Sequence, residues 1–554
     1  MKKLNTIFLL ITFLLILLAG DILQAQNCSL SLDTTQNYIV GSAFNIKPGD
    51  VVCFEAGNKD YIQLKDIHGT ADQPITFINK GGAVVINTDH YFGIKIGNCS
   101  HIIFRGNGTT NLKYGFQVTR VAAGAGLSVD DKSSDVEISN MEISHTFIGG
   151  VYAKTDPSCG DYSATRDKFT MYNFSFHDCY VHDVPDEGLY IGNSHFTGFH
   201  LTNGCDTVVY PQVLKGVHIY NNLIEHTGYD GIQVSSADSN CSIHDNTINF
   251  DSQAGILTQM SGIMIGGGSK CDTYNNKILN GKGDGIDVFG LGNFKIFNNL
   301  IVNAGQNYLP NQPAIQKHGI YIGIDSTSAN AQLGIYNNTI ISPKSFGITL
   351  TNTELSKTRI INNLITDPGK YATDGEQAFI NTNISSTRIE KSNNYLSDSN
   401  DRLKFVSMNS GNYDLQPDSP AVNYGTDLSA EGVTFDILGR TRPFHTYFDA
   451  GAFECHDPTA DVAYLKAPDV SLLKIYPNPT HNELNISYQL KNPQHVQLWV
   501  VDLNGRELMH KKLESTNAQT KTYHIVLPVM ANGVYFIKIK TKMGISGKPF
   551  IINQ

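Results

Sequence analysis

Apolar and polar residues alternate in short runs along most of the chain, as in Val217-His218-Ile219-Tyr220 and Ile232-Gln233-Val234. Every second side chain in such a run points to one face, which is the period of a β-strand. Two kinds of punctuation separate the runs. Asn pairs recur at Asn221-Asn222, Asn275-Asn276, Asn298-Asn299, Asn337-Asn338 and Asn362-Asn363, with Asp178-Cys179 and Asp245-Asn246 in the same slot. Between them fall Gly188-Leu189, Gly231-Ile232, Gly262-Ile263, Gly285-Ile286, Gly319-Ile320 and Gly347-Ile348. From Asn221 the slots follow one another at 24, 30, 23, 39 and 25 residues, which suits one coil of a wide solenoid whose loops vary while its strands do not. A single coil cannot bury its apolar face alone, so coils must stack. An amide at the same corner of each coil can bond the amide of the next, and Asn tolerates the tight turn. The pattern predicts an all-β solenoid.

These coils resemble the right-handed parallel β-helix of the pectate-lyase-like superfamily, and the resemblance implies a single-stranded helix of that kind over residues 26–455. Pro48-Gly49-Asp50 and Gly69-Thr70-Ala71-Asp72-Gln73-Pro74-Ile75-Thr76-Phe77 look like the opening of many polysaccharide-lyase β-helices. Tyr413-Asp414-Leu415, Ser419-Pro420-Ala421, Gly439-Arg440 and Asp449-Ala450-Gly451-Ala452-Phe453-Glu454 look like the strand-and-loop finish of bacterial members. The motif is specific for fold and says little about activity.

The two ends carry different signals. Met1-Lys2-Lys3, an apolar run from Ile7 to Ala19 and Gln24-Ala25-Gln26 form a charged start, an apolar centre and a small-residue exit, the layout of a cleaved signal peptide over residues 1–25. The run is shorter than the ~20 residues a membrane span needs. After an expected linker at 456–470, residues 471–554 alternate again, through Leu472-Leu473-Lys474-Ile475-Tyr476-Pro477-Asn478-Pro479-Thr480, then Val496 to Arg506 and Asn532-Gly533-Val534-Tyr535-Phe536-Ile537. This segment resembles the C-terminal sorting domain of the type IX secretion system of Bacteroidetes. It implies a small β-sandwich, the secretion machinery as a partner, and a destination outside the cell or on its surface.

A net charge of −10 excludes the basic stripe of a nucleic-acid binder, and a monomer is expected. Nine cysteines, an odd number, lie beyond the leader in a chain bound for a compartment that permits disulfides. Cys241 and Cys271 each precede an Asn slot by the same interval. They should stack one rung apart, ~4.8 Å, either as a disulfide or as a buried thiol ladder.

Stacked coils turn distant positions into columns. The position before each glycine reads Glu187, Asp230, Ser261, Asp284, His318, Phe346, and the outward position two residues after it reads Tyr190, Gln233, Met264, Asp287, Tyr321, Thr349. Each Asp-Gly is also ordinary turn chemistry. Yet Glu187, Asp230, Asp284 and Asp287 within four rungs would repel one another unless a proton or cation sits among them. Glu187, Asp230 and Asp287 are therefore expected to hold a Ca²⁺ ion, or two of the four acids to divide acid and base roles in glycoside hydrolysis. Tyr190, Tyr229, Gln233 and Phe289 are candidate substrate contacts, the aromatic rings as surfaces for sugars. Asp183-Val184-Pro185-Asp186-Glu187-Gly188 adds acids at the rim, and the long interval between Asn303 and Gly319 predicts an overhanging loop.

A lyase needs a base for the proton α to a uronate carboxylate. No Arg lies between Arg166 and Arg359, which counts against lyase families with an Arg base. Lys317 is the candidate base, with Lys215 and Lys282 second, and Asp284 beside it. His318 and Tyr321 offer an imidazole base and a phenol acid on one strand. The resemblance and these residues together imply a secreted enzyme that cleaves an acidic polysaccharide by β-elimination with Ca²⁺. A carboxylate-based glycoside hydrolase, a C5-epimerase and a non-catalytic glycan-binding or adhesin solenoid are the alternatives.

Overall fold

The computed structural model describes residues 27–456 and 470–553, apart from 203, 313, 324–329, 352–353, 370–377, 383–387 and 445 in the first stretch and 491–493, 502–506, 517–519, 529 and 542–543 in the second. The expected leader, and all but the two end residues of the linker expected at 456–470, lie outside the described residues. The chain divides into two compact units, Met1–Glu454 and Cys455–Gln554.

The first unit is a right-handed parallel β-helix. A coil has three strands, for example Val213–Tyr220, Leu223–Thr227 and Ile232–Val234. The third strands stack into a twelve-stranded parallel sheet, and the first two belong to a larger parallel sheet. In the twelve-stranded sheet Leu189, Ile232, Ile263, Ile286, Ile320 and Ile348 follow one another in strict register. All six are fully buried and face the interior of the coils. Neighbouring outward residues must then form columns of their own, because the side-chain period of a strand is two.

The Asn pairs divide their work between two members. The first member takes the left-handed conformation that ends the strand, with φ of 55° at Asn221 and Asn275, 54° at Asn298, 47° at Asn337 and 60° at Asn362. Asn enters this region at little cost. The second member builds a buried ladder. Asn222 Nδ2 donates to Asn246 Oδ1 at 2.9 Å, Asn246 to Asn276 at 3.0 Å, and Asn276 to Asn299 at 3.0 Å. Asn299 donates to Asn338, Asn338 to Asn363, and Asn363 to Asn394, each at 2.9 Å. Each accepting oxygen also takes the backbone N–H of the Asn below, at 3.0 to 3.1 Å.

Cys241 and Cys271 pair in register and form a disulfide, with Cα atoms 4.4 Å apart. Cys28–Cys53 and Cys159–Cys205 form two more, while Cys99 and Cys179 are buried thiols. The expected finishing segment does not add another coil. It runs back along the Asn corner, where Asn298 Nδ2 donates to Phe435 O, Asn337 Nδ2 to Asp449 O and Asn362 Nδ2 to Thr426 O at 2.6 to 2.9 Å. A buried Arg442–Glu454 ion pair at 2.9 Å holds it together.

The second unit has an antiparallel sheet of Val470–Tyr476, Glu483–Leu490 and Thr520–Val526 and another of Gln494–Val501, Glu507–Thr516, Gly533–Thr541 and Gly544–Ile552. They share a core of Leu484, Ile486, Val496, Leu498, Ile537 and Phe550, which makes a small β-sandwich.

The division of the Asn pairs predicts unequal effects. Asn299→Ala strands buried partners on both neighbouring coils, each worth about 1–3 kcal/mol, and should lower the thermal midpoint by several degrees. Asn275→Gly keeps the left-handed turn and should leave the midpoint within about a degree. Thermal unfolding followed by circular dichroism measures both; equal losses would remove the ladder from this account.

Candidate active site

Two columns cross the face of the twelve-stranded sheet. Gly188 N donates to Asp230 O, Gly231 N to Ser261 O, Gly285 N to His318 O and Gly319 N to Phe346 O, at 2.9 to 3.0 Å, and Ser261 pairs with Asp284. Glu187, Asp230, Ser261, Asp284, His318 and Phe346 therefore stand rung over rung. The outward column Tyr190, Gln233, Met264, Asp287, Tyr321, Thr349 is in register throughout. The glycine between the columns is a packing requirement: a Cβ on Gly285 would come within 2.5 Å of Gly319 O and 2.6 Å of Ile301 Cγ2.

Lys317 is the electrostatic centre. Its ammonium reaches Asp284 Oδ2 at 2.8 Å and Met260 O at 3.3 Å, and both partners of the ion pair are only 8% exposed. Burial alone would strip its proton, but the charges of Asp284 and Asp287 outweigh burial and raise its pKa. The other oxygen of Asp284 accepts the backbone N–H of His318. Asp230 leans onward in the same way, its Oδ1 accepting Ser261 N at 2.6 Å and Ser261 Oγ at 2.7 Å.

The remaining acids are held towards their neutral forms. Burial pushes Asp230 up to about 8 and Asp251 up to about 6, and burial with the Asp284 charge raises Asp287 well above the carboxylate range. Asp230 Oδ2, Asp251 Oδ2 and Asp287 Oδ1 are buried without a hydrogen-bond partner. Glu187 is also raised by burial, and its Oε2 accepts the Tyr152 hydroxyl at 3.4 Å.

Burial lowers the pKa of His318 and favours its uncharged form, its Nδ1 accepts Phe346 N at 3.4 Å, and its ring lies between Tyr321 and Phe346 at centroid distances of 5.9 and 5.4 Å. Tyr321 is half-buried, with Phe289 at 5.9 Å, and its hydroxyl accepts from Thr351 Oγ1 at 3.2 Å. The segment after Asn303 is tied to the turns of neighbouring coils: Tyr308 OH donates to Gly255 O at 3.3 Å and Lys344 Nζ to Leu309 O at 3.1 Å.

Lys317, Asp284, Asp287, His318 and Tyr321 thus meet in one place, with Asp230 behind them. Other expected residues do not join them. Glu187 stands three rungs from the Asp284 strand, roughly 14 Å at ~4.8 Å per rung, too far to share with Asp287 an ion whose bonds are ~2.3–2.6 Å. The trio Glu187, Asp230 and Asp287 is therefore not a metal cage, and no three acidic, His or Cys side chains converge as one among the described residues. Tyr190 lies under the Lys154 ammonium at 4.4 Å, and Tyr229 occupies the corner beside Asp186, off the outward column. Lys282 donates to Gln253 O at 2.8 Å, and Lys215 lies in the other sheet. Asp251 escaped the sequence pattern because it sits in the turn after Thr247–Asn249, in the coil whose pre-glycine position holds Ser261 in place of an acid.

Comparison with known proteins agrees with this architecture. Residues 125–261 and 258–396 match the family model of a right handed beta helix region, and residues 474–553 match that of a secretion system C-terminal sorting domain. No curated protein matches the chain. Among solved structures, pectate lyase Pel9A is 13% identical over 78% of this chain and 97% of its own, with a TM-score of 0.39. The alginate lyase of Paenibacillus sp. str. FPU-7 is 14% identical over 59% and 99%, TM-score 0.39, and the GH136 lacto-N-biosidase of Eubacterium ramulus 12% over 64% and 62%, TM-score 0.42. These are likenesses of fold. The chain carries a right-handed β-helix region and ends in a secretion system C-terminal sorting domain, the signal for type IX export to the cell surface or the extracellular space.

Proposed function

We propose that the chain acts on polysaccharide and cleaves an acidic one by β-elimination at the Lys317 face. The observation that carries this reading is a lysine buried against Asp284 among further aspartates, beside an outward line of aromatic and amide side chains. A buried ion pair of this kind is a poor stabiliser, since its desolvation offsets its attraction, so a functional reason for it is favoured.

Asp284 and Met260 O aim the Lys317 amine, and the neutral amine removes the proton α to the uronate carboxylate. Asp284 keeps that amine protonated in the resting protein, so the active form grows as pH rises. Tyr321, one rung beyond Asp287 with its phenol half-exposed, is placed to protonate the leaving oxygen. His318 stacks on Tyr321 and fixes its ring. Asp230, Asp251 and Asp287 each keep one buried oxygen without a partner, but no three such side chains converge as a metal cage among the described residues, so the expected Ca²⁺ ion is not part of this reading. One observation favours a second reading: burial and the Asp284 charge push Asp287, on the outward face, towards the protonated form that a general acid needs in glycoside hydrolysis.

A panel of uronate-containing polysaccharides separates these readings. β-Elimination should raise ultraviolet absorbance and reducing ends together. Reducing ends alone would mean hydrolysis through the acids, and silence in both would leave a binding solenoid. Lys317→Ala should lower kcat/KM by ~10²–10⁴-fold. The wild-type rate should climb with pH towards the raised Lys317 pKa, a climb that the variant loses. An unchanged pH profile would remove Lys317 as the base.

The acids give a third check, with a definite sign. Folded pKa values raised above the unfolded ones mean that the native state holds extra protons, so stability falls as pH rises from about 4 to 8. Added Ca²⁺ should leave the thermal midpoint unchanged at pH 4 and at pH 8, and a rise confined to pH 8 would restore the ion.

A further inference from the structure

Beside the Lys317 face lies a second feature, a pocket of about 240 Å³ lined by Ser194, Phe196, Gln233, Ser235, Met264 and Phe289 among others. Its floor is the outward column itself, because Gln233 and Met264 stand two rungs and one rung before Asp287. Its wall comes from Ser194, Phe196 and Thr197 of a long loop that the Cys159–Cys205 disulfide ties to the long loop of the preceding coil. Backbone bonds from Arg166 N to Tyr210 O at 2.8 Å and from Gln212 N to Ala164 O at 3.1 Å join them further. The Arg166 guanidinium lies over Phe196 at 4.1 Å, and the Phe196 ring also packs against Gly268, where a Cβ would come within 2.1 Å of Cδ2. The wall is therefore fixed.

The polar groups in this pocket are unevenly matched. Gln233 Nε2 donates to Ser194 Oγ at 2.7 Å, and that hydroxyl also bonds the Tyr190 hydroxyl at 2.6 Å. Gln233 is only 2% exposed, yet its Oε1 has no partner. A buried carbonyl oxygen left in this state costs free energy until a donor reaches it. The lining carries no charged side chain, and Arg166 is spent behind Phe196. A hydroxyl satisfies Gln233 Oε1, whereas a carboxylate brings only further acceptors and a charge that nothing here neutralises. Phe196, Met264 and Phe289 supply apolar surface for the faces of a ring. The volume lies below the ~300–1,000 Å³ of drug-sized ligand sites, which suits one sugar ring and not a chain.

We infer that this pocket is a subsite for a single uncharged sugar residue, one to two rungs, about 5–10 Å, from the cleavage position. Resting on the lyase reading above, the inference names the substrate class: a heteropolysaccharide in which the uronic residue that is cleaved has an uncharged neighbour. A polymer of uronic residues alone would bring a carboxylate into a lining that holds no cation.

Saturation-transfer NMR on the full protein tests the pocket without any turnover. The probes are D-galactose, D-mannose, L-rhamnose and L-fucose against D-galacturonate and D-glucuronate. At least one neutral sugar should give a signal at least threefold above either uronate, and Gln233→Met, of similar shape but with no acceptor, should abolish it. Phe289→Ala at the lip should weaken the same signal. Equal signals from both classes, no signal from any neutral sugar, or a signal unchanged in Gln233→Met would overturn the subsite. Neutral-sugar binding in a protein that cleaves no uronate polymer would support the pocket while sinking the lyase reading.

Discussion

The amide ladder from Asn222 to Asn394 is the constraint on which the rest of the first unit depends. Strand hydrogen bonds between coils fix the rung height, but parallel strands with apolar faces can slip along one another. An Asn side chain that must bond both the amide above and the backbone N–H below permits one register only. Because every coil is pinned at the same corner, residues one strand later fall into line whatever the loops between them do. The intervals of 23 to 39 residues between successive ladder members leave the ladder geometry unchanged.

That alignment lets the fold hold groups that would otherwise separate. Lys317 and Asp284, 33 residues apart, meet at 2.8 Å because their coils are adjacent. Asp230, Asp251 and Asp287 come from three coils and are all buried, and burial makes the charged form of each more costly. Stacked aliphatic layers inside the coils, fully buried from Leu32 to Ile365, supply the stability against which this cost is set.

The parts of this arrangement legible in the sequence are those with a period. The Gly-Ile strands, both columns and the Cys241–Cys271 contact follow from the two-residue strand repeat and the Asn slots, and the register places them accordingly. Features made by loops were not legible. Asp251 belongs to a turn that only one coil enlarges, and Phe196 reaches its place through the disulfide-tied loops. The acids in a column looked equivalent, whereas rung distance separates Glu187 from Asp287 and side-chain tilt sends Asp230 to Ser261. Lys317 reads from sequence as a base; the three-dimensional field of Asp284 makes it an ammonium at rest. The segment around Asp449 resembles a strand-and-loop finish, and its return along the Asn corner rests on bonds to Asn337 and Asn362 that no local pattern announces.

The central claim is that register builds one working face from Lys317, Asp287 and Tyr321 with the outward column beside them. The most direct test is a crystal structure of the full chain carrying Lys317→Ala, soaked with an oligosaccharide that contains both uronic and uncharged residues. The account predicts a sugar chain running along the column from Gln233 towards Tyr321, with the uronate carbon that loses its proton facing position 317. A ligand bound elsewhere, as in the groove lined by Arg120, Phe147 and His226, with the column empty, would contradict it.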